Sequence, residues 1–178
     1  IDALGGEMAQ VTDASAIQCR MLNRSKGPAV QSPRAQCDKL VYQRRMKHAV
    51  ERCPGLFVHQ AQAVRCLAAH ERVTGVATEF GDVSAARAVV VATGTFLGAT
   101  LHYGLSSFPG GRSGDPAAVA LSESLRVDLE LDMGRLKTGT PVRVLGRTID
   151  TAGLERQDPD SEPYRFSFRE DTSGLPRL

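Results

Sequence analysis

The sequence predicts an α/β fold, and three observations support this prediction. Residues 88–95 read Ala-Val-Val-Val-Ala-Thr-Gly-Thr, a β-branched run that enters a turn of small residues, as is typical of a strand buried on both faces of a sheet. Further strand patterns precede this run, and segments with helical apolar spacing lie before and after them. We therefore expect residues 1–145 to form an incomplete doubly wound domain with a β-meander, and residues 146–178 to begin an inserted domain.

The first third of the chain predicts a helix, a strand and a second helix. Apolar residues recur at helical spacing over residues 2–15, where Asp2 is a candidate N-cap. Apolar and polar side chains alternate over residues 17–22, which predicts a strand. After a loop rich in Ser, Gly and Pro, Ser32 followed by Pro33 matches the start of a helix that continues to about residue 52.

The middle of the chain predicts four strands, and the part beyond them predicts mostly loops. The strand patterns cover residues 56–60, 63–69, 72–80 and 89–93, and the middle pair is joined around His70 and Glu71. Later elements are a short helix over residues 116–125 that Asp115 would cap, and short strands near residues 129–133 and 142–145.

Composition limits the compartment and the partners. The 178 residues are 42% hydrophobic, enough for a core, and carry a net charge of only +2, so affinity for nucleic acid would have to come from clustered cations. The four cysteines have neither CxxC nor zinc spacing, which predicts free thiols and no metal site. No apolar run approaches membrane length, and Ile1 has the look of a cut start without a signal peptide, so we expect a cytoplasmic protein without membrane contact.

Two glycine-rich turns could hold a ligand. Thr93 and Gly94 follow the buried strand, where small residues let a cofactor approach the backbone, although many structural cores contain such a turn. Residues 110–118 read Gly-Gly-Arg-Ser-Gly-Asp-Pro-Ala-Ala, a turn feeding a helix whose free N–H groups could bind an anion. Asp115 opposes this second interpretation with a negative charge, and most capped helices bind nothing.

Two cationic segments are further candidates. Residues 134–141 read Gly-Arg-Leu-Lys-Thr-Gly-Thr-Pro, and their polar face could hold phosphate or the carbonyl oxygens of a ring; a solvated edge strand is the alternative. Residues 24–30 read Arg-Ser-Lys-Gly-Pro-Ala-Val, and their cations could neutralise phosphates of RNA or of a dinucleotide. The basic residues of the following helix, Arg44, Arg45 and Lys47, are better explained as a solvated face.

Read in order, these motifs are similar to one known family. Together with Ile-Asp-Ala-Leu-Gly-Gly at residues 1–6, Pro-Arg-Ala-Gln at 33–36 and Gly-Thr-Phe-Leu at 94–97, they closely resemble the glucose-inhibited division protein A family from end to end. The resemblance implies a larger FAD-dependent enzyme that adds a carboxymethylaminomethyl group to C5 of the wobble uridine of certain tRNAs. It also implies methylene-tetrahydrofolate, NADH, a GTPase partner and a homodimer at full length.

The resemblance further implies the parts of the site that lie in this chain. Residues 1–145 would belong to a Rossmann-like FAD-binding domain, and residues from 146 onward would begin a nicotinamide-binding domain. The family's adenosine contact falls on Ala63 next to Val64, where backbone groups would bind the cofactor. Thr93, Gly94 and Ala118 fall on positions near the FAD.

The candidate catalytic residues implied by the family are Lys26, Arg135, Lys137 and Thr138. They would line the cleft near the flavin, orient the substrate and stabilise developing negative charge. In an extended segment Arg135 and Lys137 would share one side, while Thr138 and Thr140 would share the other.

Three alternative functions remain at this point. One is another flavin oxidoreductase with two dinucleotide-binding domains, and a second is the folate- and FAD-dependent tRNA methyltransferase, which lacks the Ser-Lys-Gly-Pro-Ala-Val loop. The third is a non-enzymatic RNA-binding module, which an aromatic content of 5% disfavours.

Overall fold

The computed structural model describes residues 1–139, 141, 144–162 and 164–169 of the chain. The chain divides into two compact units. Unit 1 contains the described residues of Ile1–Val58 and Arg143–Leu178, and unit 2 contains those of His59–Val142. No helix among the described residues is long and apolar enough to cross a membrane. The start of an inserted domain at residue 146 stays a prediction.

Unit 1 contains two helices and a two-stranded antiparallel sheet. In chain order its helices and strands are α1 (Met8–Ser15), β1 (Ala16–Leu22), β2 (Ser32–Cys37) and α2 (Lys39–Glu51). The predicted helix over residues 2–15 is interrupted, because the 3-10 turn Asp2–Leu4 ends at Gly5, whose φ of 87° is left-handed.

The predicted start of the second helix at Ser32 is wrong. Ser32 and Pro33 belong to β2, where they pair with Leu22 and Met21 of β1. The helix begins after Asp38, whose Oδ1 accepts hydrogen bonds from the N–H groups of Leu40 and Val41, both at 2.9 Å. These donors are free at any helix start, so a carboxylate that accepts both fixes the first turn.

Asp2 does not cap a helix, and instead holds a distant segment of unit 1. Its carboxylate accepts hydrogen bonds from the Ser167 hydroxyl at 2.9 Å and from the Phe168 N–H at 2.7 Å. The Phe168 hydrogen bond is the main reason why the pKa of this carboxyl is lowered. Asp13 accepts from the N–H groups of Phe166 and Ser167 at 2.9 and 3.0 Å. Two carboxylates therefore bind the backbone of residues 166–168 against the start of the chain.

Unit 2 contains a three-stranded antiparallel meander, a hairpin and one helix. These elements are β3 (Ala63–Ala69), β4 (Arg72–Thr78), β5 (Val83–Ala85), β6 (Thr100–Tyr103), β7 (Ser106–Pro109) and α3 (Val119–Val127). The predicted strand over residues 63–69 is confirmed, and the one predicted over residues 72–80 forms but ends at Thr78. The turn between them is also confirmed, where His70 and Glu71 have φ of 52° and 61°. The hairpin of β6 and β7 was not predicted.

The core of unit 2 lies between β3 and α3. Cys66, Leu121 and Leu125 are buried at its centre. The partly buried side chains packed against them are Ala63, Val73, Val89, Leu97, Ala118, Leu129 and Met133. Leu121 and Leu125, four residues apart on α3, therefore meet Cys66 of β3.

Several predicted strands are absent. Residues 56–60, 89–93 and 129–133 form no strand in the structure. Val89 packs on the core, but Val90 is 89% exposed. The run forms no strand because β-branched residues become a strand only where neighbouring strands offer hydrogen bonds on its edges. The predicted strand over residues 142–145 includes Val142 and Arg143, which lie outside the described residues.

A polar network fixes β3 to α3. The buried Ser124 hydroxyl accepts a hydrogen bond from the Cys66 N–H at 3.2 Å and donates to the Asp128 carboxylate at 2.9 Å. Arg65 binds the same carboxylate through two nitrogens, at 2.8 and 3.2 Å. Arg65 is the main cause of the lowered pKa of the Asp128 carboxyl, and Ser124 adds to it.

We expect Ser124→Ala to lower the free energy of unfolding by about 1–3 kcal/mol, because the buried Cys66 N–H would lose its acceptor. Urea unfolding of an enzyme of full family length that carries this sequence would measure the change. The matched control is Glu123→Ala, which removes only an exposed pair with Arg126 and should shift stability by less than about 0.5 kcal/mol. Equal stability of the two variants would contradict the assigned role of Ser124.

Candidate functional site

The turn after residue 93 presents bare backbone to open space. Thr93 precedes the 3-10 turn Gly94–Phe96, and Gly94 has a φ of 60°. A Cβ added to Gly94 would meet no described residue within 4 Å other than its two chain neighbours. Glycine adopts this left-handed conformation without steric cost, so the turn leaves its outer side free for a ligand.

The same turn is bound to the start of α3. The Ala118 N–H donates to the Phe96 carbonyl at 2.8 Å, and the Gly98 N–H donates to the Ala118 carbonyl at 3.1 Å. Leu97 and Ala118 thus form a parallel bridge. The structure therefore brings the predicted positions Gly94 and Ala118 to one edge of unit 2.

Asp115 is not the N-cap of this helix, which corrects the sequence prediction. α3 begins at Val119 with Ala118 as its N-cap and has no side-chain cap hydrogen bond. The Asp115 carboxylate pairs instead with Arg112, whose guanidinium also lies over the Phe96 ring at 5.9 Å from its centroid. Because an arginine three residues away engages the carboxylate, the loop closes on itself and the first turn of α3 has no side-chain cap. The Val119 N–H donates to the Ala117 carbonyl at 3.0 Å.

Gly111 allows this loop to pack against the turn. A Cβ at Gly111 would overlap the Phe96 ring. The Thr95 hydroxyl donates to the Gly111 carbonyl at 3.2 Å, which joins the two segments directly. The glycine-rich motif therefore has a packing role in addition to any role in binding.

Val64 occupies an irregular position in β3. Ala63 pairs with Thr78 and Arg65 pairs with Ala77, so β3 advances by two residues where β4 advances by one. The extra residue of such a β-bulge lacks a direct partner across the ladder. Beside it, the buried Thr78 hydroxyl has no hydrogen-bond partner among the described residues.

The five predicted cofactor positions all belong to unit 2. Ala63 and Ala118 pack against the same core cluster, so β3 and the start of α3 are held by the same buried residues. Val64 lies at the bulge, and Thr93 and Gly94 lie at the turn before Phe96. Whether these positions bind a cofactor stays a prediction.

The cationic segment that begins at Gly134 contacts the chain just after the Gly94–Phe96 turn through one side chain. Arg135 donates from Nη1 to the Gly98 carbonyl at 3.2 Å. Lys137 and Thr138 are exposed, and their side chains have no hydrogen bond or ion pair with the described residues. Thr140 lies outside the described residues.

The loop that carries Lys26 is braced in unit 1. It joins β1 to β2, and Asn23, with a φ of 58°, donates from its amide to the Val30 carbonyl at 3.1 Å. The Gln31 amide donates to the Arg24 carbonyl at 3.2 Å. Two side-chain amides therefore close the loop across its base, while the Lys26 ammonium is exposed at its tip.

Arg24 is neutralised by a residue that the sequence did not single out. Its guanidinium lies 2.6 Å from Asp160 Oδ2 and donates to the Tyr164 hydroxyl at 3.0 Å. Asp160 also accepts from the Met21 N–H at 2.7 Å, and this bond, followed by Arg24, lowers the pKa of its carboxyl. The ionised Asp160 carboxylate thus stabilises the fold at neutral pH, and this stabilisation is lost only as the pH falls through the lowered pKa of Asp160.

A cleft of about 530 Å³ opens beside this ion pair. Its lining residues are Arg20, Met21, Leu22, Asn23, Arg24, Ser25, Gln157 and Asp160. Asp160 lies in a charged segment that local pattern predicts as a solvated loop, and no local signal could have placed it against β1.

Comparisons with solved structures define the class of protein. The chain matches the structure of Aquifex aeolicus GidA in the form I crystal with a TM-score of 0.85 and 44% identity, over 96% of this chain and 28% of that one. The form II crystal gives a TM-score of 0.84 and 45% identity, over 94% of this chain and 28% of that one. The mixed helices and sheets described here are therefore those of one part of an α/β protein of this type, as predicted.

Sequence comparisons identify the family. The family profile described as "Glucose inhibited division protein A" matches residues 1–176. Proteins named tRNA uridine 5-carboxymethylaminomethyl modification enzyme MnmG, from Geobacter sulfurreducens and Protochlamydia amoebophila, are each 47% identical over all 178 residues. The chain belongs to the glucose-inhibited division protein A family. It spans 28% of the length of these curated relatives.

Proposed function

We propose that this chain is part of an FAD-dependent enzyme that adds a carboxymethylaminomethyl group to C5 of the wobble uridine of certain tRNAs. The observation that carries the proposal is the match, at 47% identity over the whole chain, to relatives named for this modification. The Ser-Lys-Gly-Pro-Ala-Val loop at residues 25–30 is present and braced, which favours this activity over the related tRNA methyltransferase.

The residues of unit 2 fit an FAD site. The bulge at Val64 leaves backbone groups next to Ala63 for the adenosine, and the open side of Gly94 and its neighbour Thr93 admits a flat group close to the main chain. Ala118 stands before the first turn of α3, which has no side-chain cap, and the positive end of the helix dipole there suits an electron-rich oxygen. Bound FAD would supply the oxidation and reduction chemistry of the reaction.

Four side chains are proposed to act on the substrate. Arg135, anchored on the Gly98 carbonyl, would orient the pyrimidine beside the turn. The polar groups of Lys137 and Thr138 form no hydrogen bond with a described residue. The Lys26 ammonium, carried by a closed loop, also has no partner in the part of the chain that the structure describes. Their role would be to stabilise negative charge that develops on the reacting ring.

The remaining components follow from the same proposal. NADH and methylene-tetrahydrofolate would be the other cofactors, tRNA the substrate, and a GTPase of the same modification pathway the partner. We also propose a cytoplasmic homodimer for an enzyme of full family length.

Two assays on a purified enzyme of full family length test this proposal. We expect absorbance in the flavin bands that disappears when FAD is stripped. With tRNA, methylene-tetrahydrofolate, NADH and the GTPase partner, nucleoside mass spectrometry should detect the modified wobble uridine only when FAD is restored. Flavin without tRNA modification would indicate an oxidoreductase acting on another substrate. A product methylated at C5 would indicate the tRNA methyltransferase, and either result would contradict the proposal.

A further inference from the structure

Two arginines face each other across the sheet of unit 1. Arg20 of β1 and Arg34 of β2 are direct partners in the antiparallel register, and the pairs beside them, Gln18 with Gln36 and Cys19 with Ala35, are regular. Side chains of directly opposite residues project from the same face with Cβ atoms about 5 Å apart. Two positive charges therefore lie side by side on one face.

Such a pair opposes folding unless something neutralises it. Like charges placed directly opposite in a sheet are destabilising, and oppositely charged neighbours normally surround them. Neither guanidinium forms a hydrogen bond or ion pair with any residue that the structure describes, in contrast to Arg24, which Asp160 neutralises.

The acids closest along this hairpin have other partners. Asp160, which lines the cleft together with Arg20, accepts from Arg24 and from the Met21 N–H. Asp38, immediately after β2, accepts from two N–H groups of α2. The charge of the arginine pair is therefore available to a ligand.

The face around the pair is polar and open. Arg34, Gln36 and Ser32 are exposed on β2, while Arg20 and Gln18 are half-buried on β1. Arg20 also lines the cleft of about 530 Å³ described above. The Gln18 amide already donates to the Gln157 carbonyl at 2.7 Å, so the donors left beside the pair are the Gln36 amide and the Ser32 hydroxyl. Two planar guanidinium groups beside these donors match the charge and geometry of a phosphate, whose oxygens accept paired hydrogen bonds.

We propose that Arg20 and Arg34 together bind a phosphate group. The phosphate belongs either to the backbone of an RNA or to a dinucleotide, and both sources present the same oxyanion to the pair. The RNA source rests on the proposed function, whereas the phosphate site itself does not. Arg24, with its charge already neutralised, holds the loop beside the site and is not part of it.

The test compares Arg34→Gln and Arg20→Gln with a matched control, Arg44→Gln, in an enzyme of full family length. Arg44 is an exposed arginine of α2 in the same unit, and no described residue pairs with it. Each variant removes one positive charge, so the control accounts for the change in net charge. Affinity for tRNA is measured by fluorescence anisotropy over a range of salt concentrations, and affinities for FAD and NADH by titration.

We expect Arg34→Gln and Arg20→Gln each to weaken binding of one ligand by about tenfold or more, the effect of losing a charge-assisted contact. If tRNA is that ligand, the slope of log affinity against log salt concentration should fall by about one. If the affinity for FAD or NADH falls and the affinity for tRNA is unchanged, the phosphate site is confirmed and its phosphate belongs to the dinucleotide. Arg34→Lys, which keeps the charge and loses the paired geometry, should show an intermediate loss.

Affinities for all three ligands within about twofold of the Arg44→Gln control would overturn the proposal. Circular dichroism and the thermal midpoint establish that the variants are folded, and the charge-conserving Arg34→Lys keeps the test decisive if a glutamine variant is unstable. Wild-type tRNA modification is assayed separately. Absence of tRNA modification by the wild-type enzyme would contradict the proposed function but not the phosphate site. Unaltered ligand affinities in the arginine variants would contradict the phosphate site but not the proposed function.

Discussion

Replacement of Gly94 by valine is expected to abolish FAD binding by an enzyme of full family length while most of its secondary structure remains. The added side chain would project into space where, apart from the glycine and its two chain neighbours, no described residue lies within 4 Å of its Cβ, which is the space proposed for the cofactor. A β-branched residue is also strained at a φ of 60°. Flavin absorbance after gel filtration measures retention, and circular dichroism measures the fold.

A second glycine separates these two effects. Gly104, at the turn between β6 and β7, has the same φ of 60° and equally open surroundings, but is not a predicted cofactor position. Gly104→Val should therefore carry similar backbone strain and keep its FAD. Wild-type affinity for FAD in Gly94→Val would show that the turn is not part of the cofactor site, and equal losses in both variants would attribute the defect to strain.

Replacement of Lys137 by alanine is expected to reduce tRNA modification by more than about tenfold with FAD content and fold unchanged. Arg135, two residues earlier, contacts the Gly98 carbonyl beside the proposed cofactor turn. In an extended segment Lys137 lies on the same side as Arg135, so its ammonium would act on the reacting pyrimidine or flavin. Single-turnover modification of one tRNA by both proteins measures the loss.

Thr138→Ala is the comparison that decides which side of this segment faces the substrate. If the hydroxyl side faces inward, Thr138→Ala will carry the defect and Lys137→Ala will retain nearly normal activity. Normal activity in both variants would remove residues 134–139 from the active site. Lys39→Ala, at the exposed start of α2, controls for loss of one lysine charge in tRNA binding.

Sequence pattern was sufficient where the structure depends on neighbouring residues. The strands β1, β3 and β4, the turn at His70 and Glu71, and a short helix close to α3 were all predicted, because strand, turn and helix signals follow from the local geometry of the chain. The family was also predicted, since its ordered motifs occur along the whole chain. Gly94 and Ala118 were predicted as cofactor positions, and the structure joins Ala118 to the turn Gly94–Phe96 through the Phe96 carbonyl. Their role in cofactor binding stays a prediction.

Tertiary structure decided what depends on residues far apart in the chain. Asp115 matched the preference for an N-cap, but Arg112 engages its carboxylate and α3 starts at Val119. Residues 89–93 matched a buried strand and form none, because a ladder requires hydrogen-bonding partners that a local pattern cannot supply.

The sequence by itself therefore determined the family, the strands and helices that local periodicity specifies, and the position of the glycine turn after residue 93. Only the tertiary structure decided which cations remain available to a ligand. Arg24, Arg20 and Arg34 look equivalent in the sequence, yet Asp160, more than a hundred residues away, neutralises the first, while strand register places the other two opposite each other. Charge neutralisation and strand pairing act between side chains brought together by folding, and for that reason no local pattern contains them.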